Sequence, residues 1–541
     1  MGLVPNNQLM NVGIILDSFE VPKWIEKIIS DIIMVNFVEL KVVIVNDNPF
    51  TTKKQKNNYK YFFYKVYSEL DYKYYSKKIK ENAFEKINIE SSLTRSNNRL
   101  NLIRLNNEFS QQNFESLKKE KLDVIIQFGF CEITTQLIGL SRNGIWFYPH
   151  DNFGEGYITE PMFFRSMFNK NNPLEITLNT VMEKHKKSKA IYKSKSSVIK
   201  HSLFCNSNAV YWKSSKFIIK KLRDLTEGKM ESFDSKSEGR LIEVKESEPP
   251  KNLETLNLLF SLAIDKIKTR VFHEQWFLAY KKRNGKKKDY TIIKPPIDRF
   301  YADPFIIKKD NRTFVFFEEF IYSKGKGDIA VLEIDPETNI SSAPATVLEK
   351  SYHLSYPFVF EWENEIYMIP ETSGNRTIEL YKAKKFPNDW ELVKVLIADI
   401  NAVDATIIHY NNKFWMFANV FINGSSSLDE LHIFYSDSLF GEWKPHQMNP
   451  VVSNASSARP AGKIFLQDGK LIRPSQDCSF SYGYSVKFNE ILHLTEESYC
   501  EKLISEMEPN WLQNNKGTHT YNFNEDYEVI DGRIIGRKRF R

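Results

Sequence analysis

The chain has 541 residues, too many for a single hydrophobic core, so at least two domains are expected. A hydrophobic content of 42% with 14% aromatics sustains packed cores and excludes a disordered chain. The net charge of +7 is spread thinly over 75 basic and 68 acidic residues, with no compact basic stripe, which argues against a nucleic-acid partner.

The first element is an apolar strand over residues 10–16, ending at Asp17-Ser18. Ile25, Ile28, Ile29, Ile32 and Ile33 then recur at helical spacing, and residues 40–47 read as a second strand, so the chain opens as a βαβ unit of a parallel sheet. Residues 51–80 form a Lys/Tyr/Asn-rich amphipathic stretch with helical character. Buried strands follow over 122–130 and 144–148, with a short helix between them. In open sheets of this type ligands sit beyond the strand C-termini, which places Asp17, Ser18, Phe130 and His150 near one crevice. Between about 228 and 256 the pattern lapses into Ser/Glu/Lys/Pro-rich sequence, read as a linker.

From residue 272 onward a strand–turn–strand segment repeats at a period of about 50 residues. The copies begin at Asp303-Pro304-Phe305, Tyr356-Pro357-Phe358, Asp404-Ala405-Thr406 and Arg459-Pro460-Ala461. Strand-only blades at this spacing predict a β-propeller, closed by the first strand of the region joining the last blade. A propeller brings the start of every inner strand to one axis, so Asp303, Asp404 and Arg459 should meet there. Trp390, Trp415 and Trp443 are assigned to the blade cores.

The four cysteines, Cys131, Cys205, Cys478 and Cys500, have no CxxC or ligand-like spacing and read as free thiols, with no metal site. No charged start followed by a long apolar run marks a signal peptide, and the apolar stretch over 25–45 is broken by Glu26, Lys27, Asp31, Asn36, Glu39 and Lys41. The expectation is a cytoplasmic protein without a transmembrane segment.

Residues 123–130, 144–152 and 154–156 resemble the formyltransferase fold of methionyl-tRNA and sugar-nucleotide N-formyltransferases. In that family the strand ends in Asn-x-His, and an Asp arrives from the next strand pair. Here Phe147 and Pro149 stand in the Asn and His places, His150 is one residue late, and Lys186-Lys187-Ser188 occupies the Asp region. Phe and Pro can neither polarise a formamide nor accept a proton, so folate is not expected as cofactor. His150, Asp151 and Asn152 remain as crevice candidates, either as a displaced acid/base group or as a plain surface turn. Asn206, Asn208, Tyr211, Trp212 and Lys213 resemble a tail segment of formyltransferase-like proteins fused to a propeller.

Ala302-Asp303-Pro304-Phe305 resembles the first-blade signature of five-bladed glycosidase propellers. Ser355-Tyr356-Pro357-Phe358, Pro370-Glu371, residues 457–462, residues 473–478, Tyr482-Gly483 and residues 517–520 are similar to the N-terminal propeller of plant glucosamine inositolphosphorylceramide transferases. They are equally similar to that propeller's bacterial relatives fused behind a formyltransferase-like domain. The implied architecture is α/β plus all-β: a formyltransferase-like (Rossmann-like) domain over 1–227, a linker over 228–271, and a five-bladed β-propeller over 272–541.

The glycosidase comparison makes Asp303, Asp404 and Glu371 the catalytic candidates, although Tyr356 replaces the second-blade Asp and Asp404 the third-blade Glu. Arg459, Arg473, Gln476, Asp477, His519 and Tyr356 are the substrate-binding candidates, and the arginines suit an anionic saccharide or sugar phosphate. The reading is a transferase of cell-surface glycan assembly acting on an activated or lipid-linked sugar, with the propeller holding the saccharide. A lipid-linked substrate implies peripheral membrane association, and a nucleotide sugar fits as donor. The alternatives are an amino-sugar N-formyltransferase with rearranged groups, a non-catalytic glycan-binding scaffold, and a glycoside hydrolase.

Overall fold

The structure, a computed structural model, describes residues 9–46, 59–96, 100–105, 110–129, 135–149, 161–168, 173–182, 188–229, 248–422 and 425–537. It divides into two compact units: residues 1–194, 199–260 and 423–425, and residues 195–198, 261–422 and 426–541.

The first unit is built on a seven-stranded sheet. Asn101–Leu105, Val38–Asn46, Met10–Leu16, Val124–Gln127 and Ile145–Phe147 lie side by side in that order, all parallel. Leu174–Val181 then joins antiparallel, and Ser188–Ser196 forms the far edge. The inner parallel strands Met10–Leu16, Val124–Gln127 and Ile145–Phe147 are largely buried and mostly apolar, as parallel strands in covered sheets are. Lys23–Met34 buries Trp24, Ile25, Ile28, Ile29 and Ile32, while Ile33 lies outside that face and is exposed. The strand order reverses beside Met10–Leu16. There Gly129 has φ +99°, and a Cβ on it would stand 1.9 Å from the Asp17 carboxylate, so the crevice at this reversal requires glycine.

The second unit consists of five sheets that form a five-bladed propeller. Blade 1 runs Arg299–Lys309, Arg312–Ile321, Lys326–Ile334, Ala345–Leu348. Blade 2 runs Ser355–Trp362, Glu365–Thr372, Thr377–Lys385, Asp389–Ala398. Blade 3 holds Ala402–Tyr410, Lys413–Val420, Glu430–Ser436 and Lys444–Pro445, with Val452–Ser453 as a fifth strand. Blade 4 holds Phe465–Gln467, Lys470–Asp477, Ser485–Leu494 and Tyr499–Met507.

Blade 5 closes the ring. Tyr521–Phe523 and Tyr527–Arg537 are completed by Phe272–Lys282, which pairs antiparallel from Phe272↔Arg537 to Lys282↔Tyr527, and by Thr291–Ile293. Joining the first strand to the last removes the two open edges that a linear array would expose. Apolar side chains pack between neighbouring blades. Phe305, Phe358, Met368 and Trp390 share one core with Trp443, and Trp415 lies in the next.

The stretch assigned to a linker differs from its reading, because Asn252–Val271 is a 20-residue helix. Its residues Leu253, Leu256, Phe260 and Ile267 are exposed, so no one-sided buried stripe announces it.

Candidate functional site

Three blades share one backbone device at the axis. The inner strand slips register between Ala302 and Phe305, between Ser355 and Phe358, and between Val403 and Thr406. Asp303, Tyr356 and Asp404 occupy these bulges with φ of 54°, 43° and 55°. Left-handed backbone is tolerated by Asp and is an outlier for a bulky Tyr, so the strain must be held by surrounding contacts.

Those contacts stitch the blades together. Asp303 accepts hydrogen bonds from Thr520 Oγ1 (2.9 Å) and the Tyr356 amide (3.3 Å), while its own amide donates to Asp531 (3.2 Å). The Tyr356 hydroxyl accepts from the Gly462 amide (2.7 Å) and lies 3.0 Å from Thr406 Oγ1. A Cβ on Gly462 would meet the Tyr521 carbonyl oxygen at 2.1 Å, so that close backbone approach excludes any larger residue.

Above this floor opens a cavity of roughly 390 Å³, within the size range of small-molecule sites, about 300–1,000 Å³. Asp303, Glu318, Glu371 and Arg459 supply its charged lining. Phe300 and Phe320, stacked at 4.8 Å and 2° across blade 1, form an aromatic wall with Tyr482 and His353. Half-buried rings beside convergent carboxylates are suited to a polyhydroxylated ring, with one apolar face and a polar rim.

The structure gathers most of the sequence candidates but divides their roles. Asp303 and Glu371 face the cavity; Glu371 accepts from Ser355 Oγ (3.2 Å) and Ser373 Oγ (2.6 Å). Asp404 is buried beneath, and both its oxygens are engaged. Arg459 Nε donates to Oδ2 (2.6 Å), Nη2 to Oδ1 (3.2 Å), and Gln476 Nε2 to Oδ2 (3.1 Å). In this arrangement Asp404 anchors Arg459 beneath the cavity.

Both arginines of the expected site are ion-paired. Arg459 lines the cavity and is held by Asp404 through Nε and Nη2, with Glu371 at 3.8 Å. Arg473 does not line the cavity. It reaches Glu501 with Nε and Nη2 (both 2.8 Å) and the Ser457 carbonyl (2.6 Å), an ion pair within blade 4. Asp477 caps a turn by accepting from the Ser479 amide and hydroxyl, and pairs with Lys487 at 2.6 Å. Tyr356 lies below the floor rather than on the wall.

His519 stands behind Asp303. Its Nε2 is 3.5 Å from Asp303, its Nδ1 is 2.5 Å from Asp531, and its ring stacks on Trp276 at 4.0 Å. Nδ1 has no aligned hydrogen bond, so its tie to Asp531 is an ionic contact off the N–H direction. Ligand atoms of Asp303, His519 and Asp531 lie within 4.8 Å of one another, a spacing a cation could use; a protonated His519 offsets one of the two carboxylates.

Burial dominates the electrostatics. It pushes the Asp303 carboxyl up to about 6, against the pull of His519, with Asp404 and Asp531 adding to the rise. Asp404 is likewise pushed up to about 6 by burial, although Arg459 opposes the shift. Glu318 is raised well above the usual carboxylate range by burial and by Asp303, Glu371 and Asp404. Burial works against a charge on His519, yet the Asp531 and Asp303 carboxylates raise its pKa.

Glu318 and Asp531 were not among the sequence candidates. Glu318 on the second strand of the first repeat is equivalent to Glu371 on that of the second, since each pairs with the residue just before the bulge, Ala302 and Ser355. Aligning the repeats on their second strands would have found it. Asp531 lies on the closing strand, outside the four repeat copies, and had no such signal.

In the first unit, His150, Asp151, Asn152, Phe130 and Lys186-Lys187 lie outside the described residues. Phe147 ends its strand half-buried, and Pro149 is buried. Among the described residues, no helix is long and apolar enough to cross a membrane.

The fold so defined is a five-bladed propeller with an acidic, aromatic-walled axial cavity. The family "Glucosamine inositolphosphorylceramide transferase 1, N-terminal" matches residues 294–535, which lie within the propeller. Glucosamine inositolphosphorylceramide transferase 1 of Oryza sativa subsp. japonica is 42% identical over 205 residues, covering 37% of this chain and 27% of that protein. The Arabidopsis thaliana protein of the same name is 36% identical over the same length and coverage. The chain thus spans about a quarter of the length of these relatives. Among solved structures, RS223-Beta-xylosidase is 9% identical with a TM-score of 0.34, covering 45% of this chain and 94% of that one. The Bombyx mori GH32 beta-fructofuranosidase BmSUC1 is 11% identical with a TM-score of 0.33, covering 52% and 62%.

Proposed function

We propose that this chain is a transferase of glycan assembly whose propeller holds a saccharide in the axial cavity. The observation that carries the reading is the cavity itself, where three carboxylates converge beside stacked aromatic faces. The 42% identity to a protein named as a glucosamine inositolphosphorylceramide transferase supports the transferase class. Within the cavity Asp303 is the group suited to proton transfer, because it is buried, lines the cavity, and has a pKa of about 6 close to neutral. His519 and Asp531 hold it in place from behind. Arg459, Asp404 and Gln476 form the rigid floor.

The α/β unit is the proposed nucleotide-binding partner in this scheme, since its sheet reverses order beside Asp17 and Gly129. The formyltransferase relationship is proposed for its fold only. Phe147 and Pro149 offer no group for formyl transfer, and turnover with formyl-tetrahydrofolate would contradict that restriction.

The test is saturation-transfer NMR of the full chain against a panel of mono- and oligosaccharides, with Asp303→Asn and Phe320→Ala beside wild type. Binding that weakens severalfold in Phe320→Ala supports the site. Silence across the panel, or binding indifferent to both changes, sinks it. Product formation from nucleotide-sugar donors, followed by mass spectrometry, then tests the transferase class.

A further inference from the structure

The helix Phe62–Tyr75 in the α/β unit turns its apolar side outward. Its buried side chains are Tyr64, Ser68 and Asp71, whereas Phe62 (54% exposed), Phe63, Val66, Leu70 (61%) and Tyr74 face solvent. These five apolar residues follow helical spacing and lie along one stripe of the surface. Burial of apolar area alone would turn that stripe inward. The polar side is held instead. The Asp71 carboxylate accepts from the Ser202 hydroxyl (3.0 Å) and the Phe204 amide (2.7 Å) at the start of the helix Leu203–Ser214, and Tyr64 packs edge-on against Phe164. Rotating the helix to bury the stripe would break these contacts, so the fold fixes the exposure.

The surface extends past the start of this helix. Asn252 donates to the Tyr59 carbonyl (2.7 Å) and accepts from the Phe63 amide (3.0 Å), which brings the exposed Leu253 and Leu256 against it. Its charge has one sign. Lys60, Lys65, Lys73, Lys77, Lys78 and Lys80 are exposed, while Asp71 is buried and Glu69 half-buried, so no carboxylate is exposed between residues 59 and 80. Of the acidic groups near Asn252, Glu248 meets Lys60 at 3.7 Å and Glu254 accepts from the Lys251 amide (2.7 Å).

An exposed apolar stripe set among lysines calls for a partner that is apolar and anionic together. A second copy of the chain fits poorly, because a twofold contact would set lysines against lysines. An anionic bilayer meets both requirements: aromatic and aliphatic side chains enter the boundary between headgroups and acyl chains, and the lysine stems reach back to the phosphates. From this geometry we infer that the exposed face of Phe62–Tyr75 docks on an anionic phospholipid surface, with Phe62, Phe63, Val66 and Leu70 inserted and the lysines at the headgroups. A few inserted side chains attach weakly, and a basic cluster supplies the second signal that stable attachment needs. The lipid is bound here as a surface and not as a substrate. The docking needs neither a sugar nor the axial cavity, so it stands independently of the saccharide reading and of attachment through a lipid-linked substrate.

The experiment is co-sedimentation of the full chain, with no sugar present, on vesicles of phosphatidylcholine alone and of phosphatidylcholine with about 30 mol% phosphatidylglycerol. Wild type should bind the anionic vesicles about tenfold or more tightly than the neutral ones, an advantage that shrinks as sodium chloride rises from about 0.1 M to about 0.5 M. Lys65→Gln, Lys73→Gln and Lys77→Gln combined should weaken that binding on the order of a hundredfold, about fivefold for each lysine. Phe62→Ser with Leu70→Ser should weaken it by about tenfold or more, because two inserted side chains are lost. All the substituted positions are exposed, so a native thermal transition in both variants shows that the loss reflects the surface and not the fold. Equal affinity for the two vesicle types overturns the inference, as does wild-type binding by either variant. An oligomer in analytical ultracentrifugation that Phe62→Ser with Leu70→Ser returns to monomer overturns it too, since a second copy then covers the face. Tighter binding to an oligothymidine strand than to the anionic vesicles would assign the lysines and rings to nucleic acid and sink the lipid assignment.

Discussion

Arg459 and Asp404 close a two-point ion pair beneath the axial cavity, Nε to Oδ2 at 2.6 Å and Nη2 to Oδ1 at 3.2 Å, joining blades 3 and 4. Both partners are almost wholly buried. A pair in this position gains its attraction against a large desolvation cost, and its removal is uneven: taking away one member strands the other. Arg459→Ala should therefore destabilise the propeller by about 3–5 kcal/mol in urea denaturation. The paired change Arg459→Met with Asp404→Leu should cost clearly less than the two single changes added together. Additive costs in that double-mutant cycle would show that the contact is not energetically coupled.

Asp303 gives a pH signature of defined sign. Its carboxyl titrates at about 6 in the folded chain, from an ordinary value of 3.8. The folded state therefore binds this proton more tightly than the unfolded state. The stabilisation from the protonated form is complete below the unfolded value and is lost as pH rises through about 6. Asp303→Asn cannot ionise and escapes that loss. The melting temperature of the variant relative to wild type should improve between pH 4 and pH 8, by an amount on the order of 2–3 kcal/mol when converted to free energy. A constant difference across that range would remove the linkage.

Much of the propeller was legible because its signal is periodic: four strand–turn–strand copies about 50 residues apart specify blades before any contact is known. The axial gathering of Asp303, Asp404 and Arg459 followed from the same topology. What could not be read was which side chains neutralise one another. Arg473 and Arg459 are equivalent in sequence terms, each beside a proline in a blade strand, yet Glu501 claims one and Asp404 the other. Such pairing depends on residues about 28 and 55 positions apart in the chain, and no local pattern encodes it. The helix Asn252–Val271 escaped for a different reason, since its apolar residues are exposed and leave no buried stripe.

Arg473 provides the control for site assignments based on residue type. Its guanidinium is buried and bound to Glu501 and the Ser457 carbonyl, away from the cavity lining. Arg473→Met should lower stability by a few kcal/mol, roughly the cost of stranding Glu501. Saccharide affinity of the folded fraction should change by less than about twofold. A selective loss of binding without loss of stability would return Arg473 to the site.

Tyr356 carries the most demanding local arrangement of the axis. It holds φ at 43° with a bulky side chain, its amide supports Asp303, and its hydroxyl accepts from the Gly462 amide beside Thr406. Tyr356→Phe keeps the ring, the bulge and the amide contact, and removes only the oxygen. The buried Gly462 N–H is then left without its acceptor, at a cost of about 1–3 kcal/mol. Tyr356→Gly relieves the backbone strain but also empties a fully buried aromatic site, so it should be the more damaging change, losing on the order of 3–5 kcal/mol. Urea unfolding of the two variants, with saccharide binding measured alongside, separates hydroxyl from ring. If Tyr356→Phe proves as stable as wild type, the hydroxyl is not what holds the blade 4 backbone against the axis.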